Sequence, residues 1–199
     1  HYEGKDDLSV GGARHNAQVL MRARVPFLRA THFLSAAYEL VKGDSFATVV
    51  ANLAALVVPG RDHVGLHIHW LDALATLAGV TIQDHHTLSG AGVPSGDGGY
   101  NRLASAYTSV ADHRAFIDLC ADTVEAYGYG RPVEFVCGNY LNTDPLLQAL
   151  VEEGFTMDFS AIPSSLVTTP PYAAYQAGEL AARWPSLTTT SQAYAISTP

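Results

Sequence analysis

Residues 133–160 run VEFVCGNYLNTDPLLQALVEEGFTMDFS, and their pattern is strand, helix, strand. Val133 to Cys137 is a short apolar run, the mark of a buried strand. Asp144 then reads as a helix N-cap with Pro145 at the first helical position. The helix stops at Gly154, and Phe155 to Ser160 is again a strand. Two strands joined through a helix pair in parallel, because the crossover brings the chain back in the same direction.

The same alternation extends upstream. Ala13 to Arg24 has helical spacing, with Ala17, Leu20 and Met21 on one face, and Pro26 ends it. Phe27 to Leu34 reads as a buried strand. Ser45 to Leu56 is a helix closed by Pro59-Gly60. Val64 to Trp70 is a short strand. Residues 84–100 are rich in Gly, Ser, Pro and Asp and form a long loop, the kind that carries binding elements. A long helix is expected from Asn101 to Tyr127, burying Leu103, Tyr107, Val110, Phe116 and Leu119. The order predicts an α/β protein of parallel strands with helical crossovers, either a barrel or an open doubly wound sheet. The chain opens on a polar loop and closes on Ala193 to Ser197, a strand with nothing after it, so both ends read as incomplete.

The 199 residues suit one domain, 48% of them apolar and 15% charged, which supports a packed core and excludes a disordered chain. Net charge is −8, with no basic run. That excludes a nucleic-acid partner, whose binding rests on phosphate neutralisation, and an anionic membrane surface. The longest apolar run, Phe46 to Val58, is too short to span a bilayer. The expectation is a soluble protein, cytoplasmic or exported. Two cysteines, Cys120 and Cys137, supply no disulfide framework.

Chemistry is concentrated in a few places. His67 and His69 in Gly65-Leu66-His67-Ile68-His69-Trp70 are two apart, so on a strand both project to one face. Two imidazoles at the C-terminal end of a parallel strand suit a divalent metal; the alternative is a pair of half-buried histidines hydrogen-bonded in the interior. Asp6 and Asp7 can supply one general base and one metal ligand, or simply favour the N-terminus of the following helix. Gly138-Asn139-Tyr140 ends a strand, where Gly138 permits an unusual backbone angle or close approach by a ligand and Asn139 can donate to a substrate oxygen; equally, it is a turn. Asp158, on a buried strand with Ser160, needs a partner: a metal, a histidine or a backbone amide. His32 is placed on a central strand, His85 and His86 in the long loop, and His15, His63 and His113 on the surface. Trp70, Tyr100 and Tyr140 are aromatic rings for stacking on sugars. No GxSxG, P-loop or GxGxxG pattern occurs.

In their order, these pieces resemble the polysaccharide deacetylase family, the NodB-homology domain, over roughly residues 1–165. Val25 to Phe33 is similar to that family's second strand, Val64 to His69 to its histidine motif, Phe135 to Tyr140 to its third motif, and Leu146 to Ser160 to the stretch that follows. The resemblance implies a distorted (β/α) barrel, as a single domain over 1–199. It implies one divalent metal ion, zinc, held by Asp7, His67 and His69, with Asp6 as base. It also implies hydrolysis of an N- or O-linked acetyl group from a carbohydrate, with Asn139, Tyr140 and Trp70 against the substrate.

The chain departs from the family in several places. No apolar strand precedes Asp6-Asp7, and position 71, where the second histidine belongs, is Leu71. Val136 stands where the family has an arginine, and no histidine follows His113. A carbohydrate-binding member without hydrolytic activity is therefore the alternative, as is an unrelated amidohydrolase-type barrel. The latter needs two metals or a carboxylated lysine, and the lysines are Lys5 and Lys42.

Overall fold

A computed structural model describes residues 9–83, 86–88, 90–91, 98–167, 173–188 and 194–195. In chain order the elements are α1 (Ala13–Arg24), β1 (Thr31–Leu34), α2 (Ala37–Leu40), α3 (Phe46–Leu56) and β2 (His63–Ile68). Then come α4 (Asp72–Leu77), β3 (His86–Thr87), β4 (Gly90–Ala91), α5 (Val110–Val124) and β5 (Glu134–Cys137). The last are α6 (Asp144–Glu152), β6 (Met157–Asp158), α7 (Ala173–Arg183) and β7 (Tyr194–Ala195). The chain divides into two compact units, one of residues 1–67 with 120–132, the other of residues 68–119 with 133–199.

In the first unit β1 and β2 pair in parallel, Thr31 opposite His63 and Leu34 opposite Leu66. Between them the chain passes through α2 and α3. Ser45 caps α3, its hydroxyl accepting from the Thr48 amide at 3.3 Å, and Val49, Leu53 and Leu56 form the buried stripe of that helix. The i, i+4, i+7 spacing of those three is what the sequence displays. A π-helical turn at Glu125–Tyr129 brings the Tyr127 ring to 5.8 Å from Phe46. Below α1 lies an ionic cluster. Asp62, with no exposed side-chain surface, accepts from Arg22, from His32 Nε2 at 3.1 Å, and from the Val58 and Ala30 amides at 2.9 and 3.2 Å.

In the second unit β5 and β6 pair in parallel, Glu134 opposite Met157 and Phe135 opposite Asp158, with α6 as the crossover. β7 adds to β6 in the antiparallel sense. The core packs the Trp70 indole edge-on against Phe116 and His113, both centroids at 5.2 Å, with Tyr107 at 5.9 Å.

The α/β class with parallel strands and helical crossovers is as expected. Neither unit, taken alone, closes its described strands into the expected ring. Several expectations need correction. The helix expected from Asn101 begins at Val110. Arg102 is buried, its guanidinium bonded to Asp72 and to the Trp70 carbonyl, and a tight 3-10 turn at Ala104–Ala106 takes up the segment. The N-cap of α6 is Thr143, one residue earlier than expected; its hydroxyl accepts from the Leu146 amide at 3.3 Å. Part of the long loop pairs as a hairpin, His86 opposite Ala91. β1 starts at Thr31, and Phe27 is 83% exposed. α1 buries none of its residues, so the face of Ala17, Leu20 and Met21 is not a core face. His113, expected at the surface, is fully buried. Among the described residues no helix is long and apolar enough to cross a membrane.

Candidate functional site

The second unit gathers most of the polar chemistry. His69 follows directly on β2 and is 5% exposed. Its Nδ1 lies 2.8 Å from the Tyr100 carbonyl oxygen. A carbonyl only accepts, so Nδ1 carries the proton, and in the neutral ring the lone pair is on Nε2. The imidazole also stacks on the Tyr100 ring, centroids 4.1 Å apart and planes 10° from parallel. Gly138 seals the other side. A Cβ at position 138 would fall 2.7 Å from the Ile68 carbonyl and 2.9 Å from His69 Nδ1. The glycine is thus needed for the close approach of the protein's own backbone and the His69 ring, and Gly138–Tyr140 itself forms a tight 3-10 turn.

The backbone just after Gly138 is unusual. Asn139 and Tyr140 both adopt left-handed φ, 60° and 61°. Asparagine tolerates this conformation; for tyrosine it costs on the order of 1–3 kcal/mol. Asn139 is pinned from two sides. Its amide donates to the Tyr100 carbonyl at 3.4 Å, and its own carbonyl accepts from Gln176 at 2.8 Å. Tyr140 packs on the apolar cluster of Leu88, Leu103, Leu141 and Leu180. Asn139 and Tyr140 are half-buried, and the Asn139 amide shares the Tyr100 carbonyl with His69.

Gly138→Ala tests this packing. The methyl group meets backbone and a held ring, which have little room to shift, so a loss of about 1–3 kcal/mol is expected. Urea denaturation measures it, and a change in the histidine proton resonances reports displacement of His69. An unchanged midpoint would show that His69 is not held by Gly138.

The remaining expected site residues separate clearly. His67 lies in β2 and is 1% exposed. Trp70 has no exposed surface and sits among Tyr107, His113 and Phe116, so its ring is a core element and not a platform for a sugar. Asp6 and Asp7 lie outside the described residues, as does His85. A neutral imidazole with its proton fixed on Nδ1 by a carbonyl is the form that ligates a divalent ion through Nε2, so His69 fits zinc. Among the described residues no group of three His, Cys, Asp or Glu side chains is placed to hold a metal.

Asp158 is hydrogen-bonded within the second unit. It accepts from the Asn142 amide, the Ser160 hydroxyl and the Ser160 backbone amide, the last at 3.0 Å. Ser160 Oγ in turn accepts from the Cys137 amide at 2.8 Å. Asn142 also accepts from Arg183 Nε at 3.1 Å, and Arg183 pairs with Asp144 at 2.7 Å. The buried carboxylate thus opens a hydrogen-bonded line that reaches the surface at Arg183. Burial, with the Asp158 charge beside it, raises the Cys137 thiol well above its ordinary pKa, so it is a poor nucleophile.

Beside Arg183 is a cavity of about 300 Å3, lined by His86, Leu103, Ser105, Asn142, Glu179 and Arg183 among others. In the sequence His86 reads as a loop residue and Ser105 carries no signal, because residues 19 positions apart show no local sign of contact.

Set against known protein families, curated proteins and solved structures, the chain finds no match.

Proposed function

We propose that this chain is a metal-dependent hydrolase that removes an N- or O-linked acetyl group from a carbohydrate, on a divergent (β/α) barrel of the polysaccharide deacetylase type. The observation that supports it is the His69 ring. It stands at the end of a parallel strand with its tautomer set by the Tyr100 carbonyl, in the form a metal ligand takes. His67, two residues earlier, would be the second nitrogen ligand and Asp7 the third donor. When bound, zinc or a similar divalent ion supplies Lewis acidity toward the acetyl carbonyl and lowers the pKa of water. Asp6 would serve as the general base. The half-buried Asn139 and Tyr140 orient the sugar, held in place by their left-handed backbone.

One observation favours a second reading, a carbohydrate-binding member that does not hydrolyse. Val136 is 3% exposed within β5, so no guanidinium stands there to orient an aspartate.

The test is elemental analysis of the purified chain after chelation and zinc reconstitution, together with acetate release from an acetylated amino-sugar oligomer. About one ion per chain is expected, lost in both His67→Ala and His69→Ala, with acetate release falling at least ~100-fold. A chain that takes up no metal refutes the hydrolase. A chain that holds metal and binds the oligomer without releasing acetate supports the second reading.

A further inference from the structure

The cavity beside Arg183 holds an arrangement independent of His69. Ser105 Oγ lies 2.6 Å from His86 Nδ1, and His86 Nε2 lies 2.6 Å from the Tyr175 hydroxyl. Glu179 stands four residues further along α7, on the same helical face as Tyr175. With Tyr175 Oη accepting from His86 Nε2–H, the lone pair of the neutral ring is on Nδ1, facing the Ser105 hydroxyl proton. A hydroxyl within reach of a base, the base oriented by a third group, is the geometry of an activated nucleophile. Here a tyrosine orients the histidine.

The surroundings are right for a small substrate. Ser105, His86, Tyr175 and Glu179 are all half-buried rather than sealed, and Ser105, His86 and Glu179 line the cavity itself. Its volume of about 300 Å3 is at the small end for ligand pockets. Leu103, Leu141 and Ala182 supply an apolar wall, and Arg183 a positive charge.

We infer that Ser105, His86, Tyr175 and Glu179 form a second hydrolytic site, which cleaves carboxylic esters of short acyl chains through a covalent acyl-serine. Ser105 Oγ bonds to the carbonyl carbon as its proton passes to His86 Nδ1. The bond to the alcohol oxygen breaks, and that oxygen takes the proton from His86. Water, deprotonated by the same nitrogen, attacks the acyl-serine, and the acid leaves as Ser105 regains its proton. Ester and water become acid and alcohol, with no other reactant. Glu179, which lines the same cavity, supplies negative charge toward the transient imidazolium of His86. The inference rests on these contacts alone and not on the metal site proposed above.

The experiment incubates the full chain with a fluorophosphonate, reads the product by intact mass and peptide mapping, and follows p-nitrophenyl butyrate hydrolysis. One adduct per chain is expected, on Ser105, with chelator present or absent. Ser105→Ala should slow hydrolysis at least ~100-fold, and Tyr175→Phe, which keeps the ring and removes the relay oxygen, at least ~10-fold in kcat with KM little changed. Adducts elsewhere, no adduct on the wild-type chain, or undiminished hydrolysis by Ser105→Ala would each overturn the inference. The wild-type labelling stands whether or not a variant folds. Labelling that vanishes with chelator would assign the chemistry to a metal site instead.

Discussion

Replacing Asp62 with alanine should lower the unfolding free energy by about 3–5 kcal/mol. The carboxylate has no exposed side-chain surface, yet four donors converge on it: Arg22, His32, and the amides of Ala30 and Val58. Burial pushes its pKa up, but the Val58 amide, Arg22 and His32 outweigh this and hold it below the ordinary carboxylate range. The cost of the substitution comes from what is left behind. Two backbone amides lose a partner, and Arg22, 17% exposed, loses its counter-charge next to a histidine that is 1% exposed. Asp62→Asn keeps the shape and one acceptor oxygen, so a smaller loss of about 1–3 kcal/mol is expected. Urea denaturation of the three proteins at pH 7 measures both. A loss below about 1 kcal/mol for the alanine variant would mean that the cluster is dispensable.

The protein should also lose about 3 kcal/mol between pH 6.5 and pH 4 through one residue, His113. This imidazole has no exposed surface. Its Nε2–H donates to the Tyr107 carbonyl at 3.0 Å, while Nδ1 is buried with no hydrogen-bond partner. A proton added at Nδ1 therefore creates a buried charge facing aromatic rings. Burial lowers the pKa from 6.5 to about 4, against smaller raising effects of the Tyr107 carbonyl and Asp112. The unfolded chain takes up the proton near 6.5 and the folded chain only near 4, so the stabilisation is complete above 6.5. It falls as pH drops through that window, at about 1.4 kcal/mol per pH unit, and falls no further below about 4. His113→Gln should flatten the dependence of the urea midpoint on pH over that range. Some slope will remain, because burial also lowers His32, partly offset by its bond to Asp62. An unchanged slope in His113→Gln would exclude this residue as the source.

What the sequence makes legible follows from local physics. The stripe of Val49, Leu53 and Leu56, the Pro145 start of α6 and the apolar run of β5 are all set by neighbours a few positions away. Thr143 rather than Asp144 caps α6, because both residues can cap and the backbone geometry decides between them. Arg102 defeats the helix expected from Asn101. The pull on it comes from Asp72, thirty positions away, and no periodicity reports that. His113 is illegible for the same reason: its helix face is defined by Trp70 and Tyr107, which are brought to it only in the fold. At the site, the close approach allowed by Gly138 could be read from the residue type. The left-handed backbone of Asn139 and Tyr140 could be read only for the asparagine. The pairing of Ser105 with His86 and Tyr175 spans residues 86–175 and has no local signature.

The interleaving of the two compact units governs how this polypeptide can be made and cut. The first unit takes residues 1–67, then waits for 120–132; the second begins at 68 and resumes at 133. A ribosome releases residues in order, so the first unit cannot close until residue 132 has emerged, by which time 52 residues of its neighbour (68–119) are already outside. Native assembly of the pair during synthesis is therefore late, and the early nascent chain carries two unfinished cores. No single cut frees either unit intact. The Ser105 cavity draws its lining from both stretches of the second unit, 68–119 and 133–199, so no truncation from one end isolates it.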